Sequence, residues 1–251
     1  MYCDTALICR LIDKLFPQPS IYPQDQIAQL TAAAHWTDTF LFRASVAVAF
    51  QPKALAASDL FSDPEAAAAF TKDRAELSKG STELGMDLSV ALPHWLQHMW
   101  ALEQQLAEAN FLGGTAPNIL DFSTYHSCWF VYKNPVLADD LAQFPALGAW
   151  MGRMAGFGQG EATTITGETA VTIAHNSAPA PLQTTASQAS EPFALGERVA
   201  VMPIDYGFQP TQGELVLASM DELVVRRLDP RAGEVNVHFP RLGFRMDEAS
   251  S

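Results

Sequence analysis

The amino-acid sequence predicts a mainly α-helical protein, a bundle of helices followed by a small β barrel of SH3-like type. Three observations carry that prediction. From Thr5 to Met154, apolar residues recur at helical spacing, and the runs are punctuated by capping residues, prolines and glycines. From Ser177 to Pro192 the chain is small, polar and proline-rich, which reads as a flexible linker. Beyond about Phe193 the apolar period becomes two, with turn signals between the runs.

The first element is YCDTALICRLID, where Leu7, Ile8, Leu11, Ile12 and Leu15 share one helix face and Arg10, Asp13 and Lys14 the other. A helix this short needs a wall for its apolar stripe, supplied by later parts of the chain or by a preceding part. Pro17 stops it, and FPQPSIYP is a connector. Helical spacing returns from about Gln26 to Phe50 through Ile27, Leu30, Ala34, Phe40, Leu41 and Ala44, and Pro52 ends it. In SDPEAAAAFTKDRAEL, Ser62 or Asp63 caps a helix, Pro64 takes its first turn and Glu65 sits near the positive end of the dipole. Leu92, Leu96, Met99, Leu102 and Leu106 then form a stripe that predicts a helix ending at Gly113 and Gly114.

Asn118 is a good N-cap for the apolar run that follows. Asp121, three residues on, can reach back to free N–H groups as in a capping box. FPALGAWMGRM adds a helix from about Pro145 to Met154, and Thr166 to Ile173 a short one. The runs ERVAVMP, GELVLAS, DELVVRR and EVNVHF read as strands, separated by turns at Tyr206 to Gly213, Ser219 to Asp221 and Asp229 to Gly233.

At 251 residues and 48% apolar composition the chain can bury a core. Its net charge of −13 argues against nucleic acid or an anionic membrane as a general partner. Residues 1–191 hold nine Lys/Arg against nineteen Asp/Glu, net −10, while residues 192–245 hold six against seven, net −1. Cys3, Cys9 and Cys128 lack metal or disulfide spacing and fit reduced thiols in the cytoplasm. There is neither a secretory leader nor an apolar run long enough to span a membrane.

The helix start at Tyr2 to Thr5, the proline-rich link, AEANFLGGTAPNILDF and FPALGAWMGRM together resemble the glutathione S-transferase family. The resemblance covers about residues 2–157, and FLGGTAPNILDF is its most specific part. It implies four regions. Residues 1–22 are a remnant of the family's thioredoxin-like domain and residues 23–160 its C-terminal helical domain. Residues 161–191 are a short helix and linker, and residues 192–251 the added β module.

The family places an acid followed by Ser or Thr at this helix start, matching Asp4 and Thr5, which the resemblance makes glutathione-binding residues. The chemistry is apt, because the γ-glutamyl end carries an ammonium for the acid and a carboxylate for the hydroxyl and the helix N–H groups. The alternative is that both residues are simply caps. His35, Trp36 and Phe40 are candidates for the wall that receives a hydrophobic electrophile, with core packing as the alternative. The family's first strand, with its thiol-activating Tyr, Ser or Cys, and its cis-proline loop match nothing in the sequence. The expectation is an N-terminally truncated relative that lacks conjugating activity, has glutathione as co-substrate and no other cofactor, and assembles as a homodimer if the reduced surface allows it.

Other constellations carry less. His94 and His98 lie four apart but lack a third metal ligand, and Tyr125, His126 and Cys128 read as core. GFGQG has no phosphate-loop context. Arg226, Arg227, Arg231, Arg241 and Arg245 are interleaved with acids, which weakens a nucleic-acid reading. A second functional reading remains, a non-enzymatic scaffold whose β module binds a protein partner.

Overall fold

The computed structural model describes residues 1–57, 63–182 and 192–249. Ser62 and most of the linker fall outside those residues. Contacts divide the chain into two units: Met1–Ile12, Leu77–Ser81 and the stretch from Glu161 onward form one, and Asp13–Glu76 with Thr82–Gly160 the other. The helix α1 (Thr5–Leu15) begins in the first and ends in the second.

The helical unit contains α2 (Ile27–Trp36), α3 (Phe42–Ala49), α4 (Pro52–Ala56), α5 (Pro64–Leu77), α6 (Leu88–Glu108), α7 (Ile119–Tyr132), α8 (Pro135–Leu141) and α9 (Pro145–Ala155). Leu30, Ala34, Leu41, Ala44 and Val48 are buried, continuing one stripe through α2 and α3. Leu41, Ala44 and Val48 share one core cluster with Trp95, Met99, Leu102 and Leu106 of α6 and Leu147, Trp150 and Met154 of α9. Fully burying each such side chain stabilises by about 1.5–3 kcal/mol. The Trp95 indole N–H finds Ser45 Oγ at 3.1 Å, so the largest side chain in this wall leaves no orphaned donor. Asp63 accepts from the Glu65 and Ala66 N–H groups and caps α5.

Two expectations are corrected here. The stripe of α6 runs through Ala91, Trp95, Met99, Leu102 and Leu106, with Leu92 and Leu96 at its half-buried margin. The helix starts at Leu88, where Asp87 caps Ser89, and Pro93 lies inside it. It also stops at Glu108 rather than at the glycines. Gly113 and Gly114 instead close a tight turn in which Phe111 and Gly114 exchange backbone hydrogen bonds of 3.0 and 2.9 Å.

The first unit is built on an antiparallel sheet of β1 (Arg198–Pro203), β2 (Thr211–Ala218), β3 (Glu222–Asp229), β4 (Gly233–Pro240) and β5 (Phe244–Glu248), ordered β4-β3-β2-β1-β5. The four runs read as strands are present, and Phe244–Glu248 makes the total five, within the four or five strands expected. The expected SH3-like barrel is corrected to an open sheet, because β5 returns to β1 and, among the described residues, no ladder joins it to β4. Val199, Val201, Leu215, Val225, Val237 and Phe239 form its core. The helix α10 (Gly167–His175) packs on β4, and Arg231 reaches Glu168 at its first turn.

The outer edge of β4 is occupied by the N-terminal residues. Tyr2 bridges His238 in parallel, with Cys3 N–H to His238 O at 2.9 Å and His238 N–H to Met1 O at 2.8 Å. The Tyr2 ring lies on the His238 ring at 4.4 Å, and His238 Nδ1 contacts Glu222 Oε1. Of the α1 stripe, only Leu7 is buried, while Ile12 is 51% and Leu15 63% exposed.

Candidate functional site

In the first unit, Asp4 and Thr5 stand at the N-terminus of α1, both exposed. Asp4 has a left-handed backbone, φ 72°, uncommon for any residue but glycine. Its Oδ1 accepts from the Ala6 N–H at 2.8 Å and its carbonyl from Ile8 N–H at 3.1 Å, so it is the cap of the helix. Cys3, next to it, is half-buried against the sheet core, and burial pushes its thiol pKa up, leaving it protonated near neutrality.

In the helical unit, the run from α2 to α3 is interrupted by a π turn, Thr37–Leu41. The Thr37 hydroxyl donates to Ala33 O and the Thr39 hydroxyl to His35 O, competing with the regular ladder at the point where it widens. Such single-turn bulges are frequent at functional sites. This one brings together Trp36 and Phe40, whose rings stack at 5.5 Å, and sets them against α6. His98 meets Trp36 edge-on at 4.9 Å, and His94 meets Phe40 edge-on at 5.6 Å. The Arg43 guanidinium covers the Phe40 ring at 5.9 Å while also binding Glu83. Asp38, in the same turn, is hydrogen-bonded by Ser123 of α7.

Trp36 and Phe40 are thus part of one aromatic wall, and the ring of His35 is not. The members that sequence reasoning missed are His94 and His98 as aromatic partners, together with Arg43. Their signal was present as matching helical phase, Trp36/Phe40/Arg43 on one helix and His94/His98 on the other. Burial holds the His98 pKa down at about 4, so its ring is neutral near neutral pH, and its Nε2 is buried without a partner. The pair holds no metal by itself, and no group of three or more candidate ligands exists among the described residues.

Behind this wall, α7 is fixed by the capping box that the sequence suggested. Asn118 Oδ1 accepts from Leu120 N–H at 2.9 Å. Asp121, fully buried, accepts from the N–H groups of Leu112, Gly113 and Asn118 at 2.7, 3.1 and 3.0 Å, and from the Trp150 indole at 2.8 Å. Four donors satisfy a buried carboxylate, and in doing so they tie the glycine turn, α7 and α9 together.

No protein-family model and no curated protein matches the chain. Among solved structures, a GST-like protein from Pseudomonas syringae superimposes with a TM-score of 0.80 and is 33% identical, covering 99% of this chain and 78% of its own. The chain belongs to the glutathione S-transferase family. The agreement extends over the sheet as well as the bundle, so this glutathione S-transferase relative and its neighbour share the β module. The β-etherase LigF from Sphingobium sp. strain SYK-6 aligns more loosely, at a TM-score of 0.41 and 19% identity over 61% of this chain and 69% of its own. No helix among the described residues is long and apolar enough to cross a membrane.

Proposed function

We propose that this protein serves glutathione-dependent transfer to hydrophobic electrophiles, with Asp4 and Thr5 holding the γ-glutamyl end of glutathione and Trp36 and Phe40, with His35 beside them, on the acceptor side. The observation that carries the reading is the backbone of Asp4. A non-glycine residue held at positive φ costs about 1–3 kcal/mol and persists only where the surrounding structure over-determines it, as the Cys3–His238 and Ala6–Asp4 hydrogen bonds do here. Here it leaves an exposed carboxylate beside the open N–H groups of a helix start.

In this reading the outer oxygen of Asp4 takes the ligand's ammonium, since Oδ1 is already engaged by Ala6. The ligand's carboxylate takes the Thr5 hydroxyl and the first-turn N–H groups. A thiol with an ordinary pKa near ~8.5 also needs a donor to hold its thiolate, and Cys3 is unsuited to that role. The reading assigns that donor to none of the described residues. A homodimer in the cytoplasm belongs to the same reading.

Calorimetric titration with glutathione tests it. Binding should weaken about tenfold or more in Asp4→Ala, through loss of a charge-assisted contact. Cysteinylglycine, which lacks the γ-glutamyl end, should bind wild type and variant equally. Glutathione binding that ignores both Asp4→Ala and Thr5→Val would refute the assignment.

A further inference from the structure

We propose that the helical unit carries a separate small-molecule site, a cavity of about 260 Å³ among α3, α6, α7 and α8, which takes a compact amphiphile with an apolar ring and a hydrogen-bond-donating head. Its walls are Val48, Leu92, Leu96, Val131, Leu137 and the Trp95 ring. The space is partly open to solvent at the side of Asp140 and Gln143 and apolar toward the core of the helical unit. An apolar cavity of about 150 Å³ accommodates benzene. This one therefore has room for a phenyl ring with a short substituent.

The chemistry of the opposite side selects the head group. Gln51 is 8% exposed, and its Nε2 donates to Val48 O at 2.8 Å, which fixes the carboxamide. Its Oε1 accepts no hydrogen bond from the described residues. Asp140 and Gln143 complete that side at the exposed rim. Lys53 holds one Asp140 oxygen, and the Gln143 amide is turned onto the Asp140 carbonyl, so Gln143 also presents its oxygen. Gln51, Asp140 and Gln143 thus make one side of a mostly apolar space polar, with the Gln51 carboxamide oxygen and the Asp140 carboxylate as hydrogen-bond acceptors, the composition of a ligand pocket. A hydroxyl head donates to one of these acceptors and an ammonium head to more than one, whereas an anionic head meets the Asp140 carboxylate.

The experiment uses 2-phenylethanol as probe, without glutathione, so its outcome is independent of the transferase reading. The chain has five tryptophans, and the indole N–H resonance of Trp95 is identified in a proton–nitrogen spectrum by its loss in Trp95→Phe. Saturable movement of that resonance is expected, with none from phenylacetate, which has the same ring and an anionic head. Leu92→Trp, at the half-buried margin, should abolish the movement while leaving thermal unfolding intact. Gln51→Leu should weaken 2-phenylethanol about tenfold, as loss of one hydrogen bond implies, and leave ethylbenzene within about twofold. A Trp95 signal unmoved by 2-phenylethanol overturns the proposal, and so does equal loss of both probes in Gln51→Leu.

Discussion

Replacing Asp121 by alanine should be among the most damaging single changes to the helical unit. The carboxylate is 0% exposed and accepts from three backbone N–H groups and the Trp150 indole, all at 2.7–3.1 Å. Removing it orphans four donors. Those of Leu112 and Gly113 lie at a partly buried turn where water can replace the acceptor, but those of Asn118 and Trp150 are buried. At about 1–3 kcal/mol for each buried group left unsatisfied, the loss is about 4 kcal/mol, a large share of the 5–15 kcal/mol typical of a domain. With a urea slope of about 2 kcal/mol/M, the helical transition at 222 nm should move down by about 2 M. Asp121→Asn, which keeps one oxygen but turns an NH₂ toward N–H donors, should lose roughly half as much. A loss under about 1 kcal/mol in Asp121→Ala would refute the argument that this carboxylate holds the turn, α7 and α9 together.

Other expectations follow from single residues. His98 titrates at about 4 in the folded protein against an ordinary 6.5, so the unfolded chain binds a proton that the folded one refuses between those values. Stability should therefore fall as pH drops from 6.5 to 4, by about 3 kcal/mol, and be insensitive to His98 above that window; the difference between wild type and His98→Leu in acid unfolding isolates the effect. Cys128 is fully buried with its pKa pushed up to about 12, so a maleimide should modify it only in denaturant, as peptide mass mapping would register. A methyl group on Gly113 would stand 2.4 Å from the Ala116 carbonyl, and Gly113→Ala should cost more than about 2 kcal/mol in the same urea assay. On Gly213 it would meet the Arg226 carbonyl at 2.2 Å, so Gly213→Ala should break the β2–β3 pairing, seen as lost amide protection in both strands.

What the sequence disclosed was local chemistry. The capping of α7 by Asn118 and Asp121 needs only residues three apart, and the strands announce themselves by alternation. The start of α6 was obscured because Pro93 resembles a first-turn proline, whereas Asp87 is the cap. The π turn was invisible, since one extra residue in an apolar helical run leaves the composition unchanged while rotating Trp36 and Phe40 toward α6. Alternation likewise predicts strands but not closure, which depends on whether β4 meets β5. The bridge from Tyr2 to His238 had no signal at all, because a single parallel pairing has no period.

That bridge also sets an order of events during synthesis. Asn236, whose carbonyl takes the Met1 amino group, follows it by 235 residues. At about 5–20 residues per second the N-terminal segment waits roughly ten to fifty seconds for its partner strand to be made. In that interval the helical unit emerges and can fold, while Met1–Cys3 remain without the strand they pair with. The outer edge of β4 is therefore covered only by residues made long before it, and a nascent chain stalled ahead of β4 leaves Met1–Cys3 unpaired.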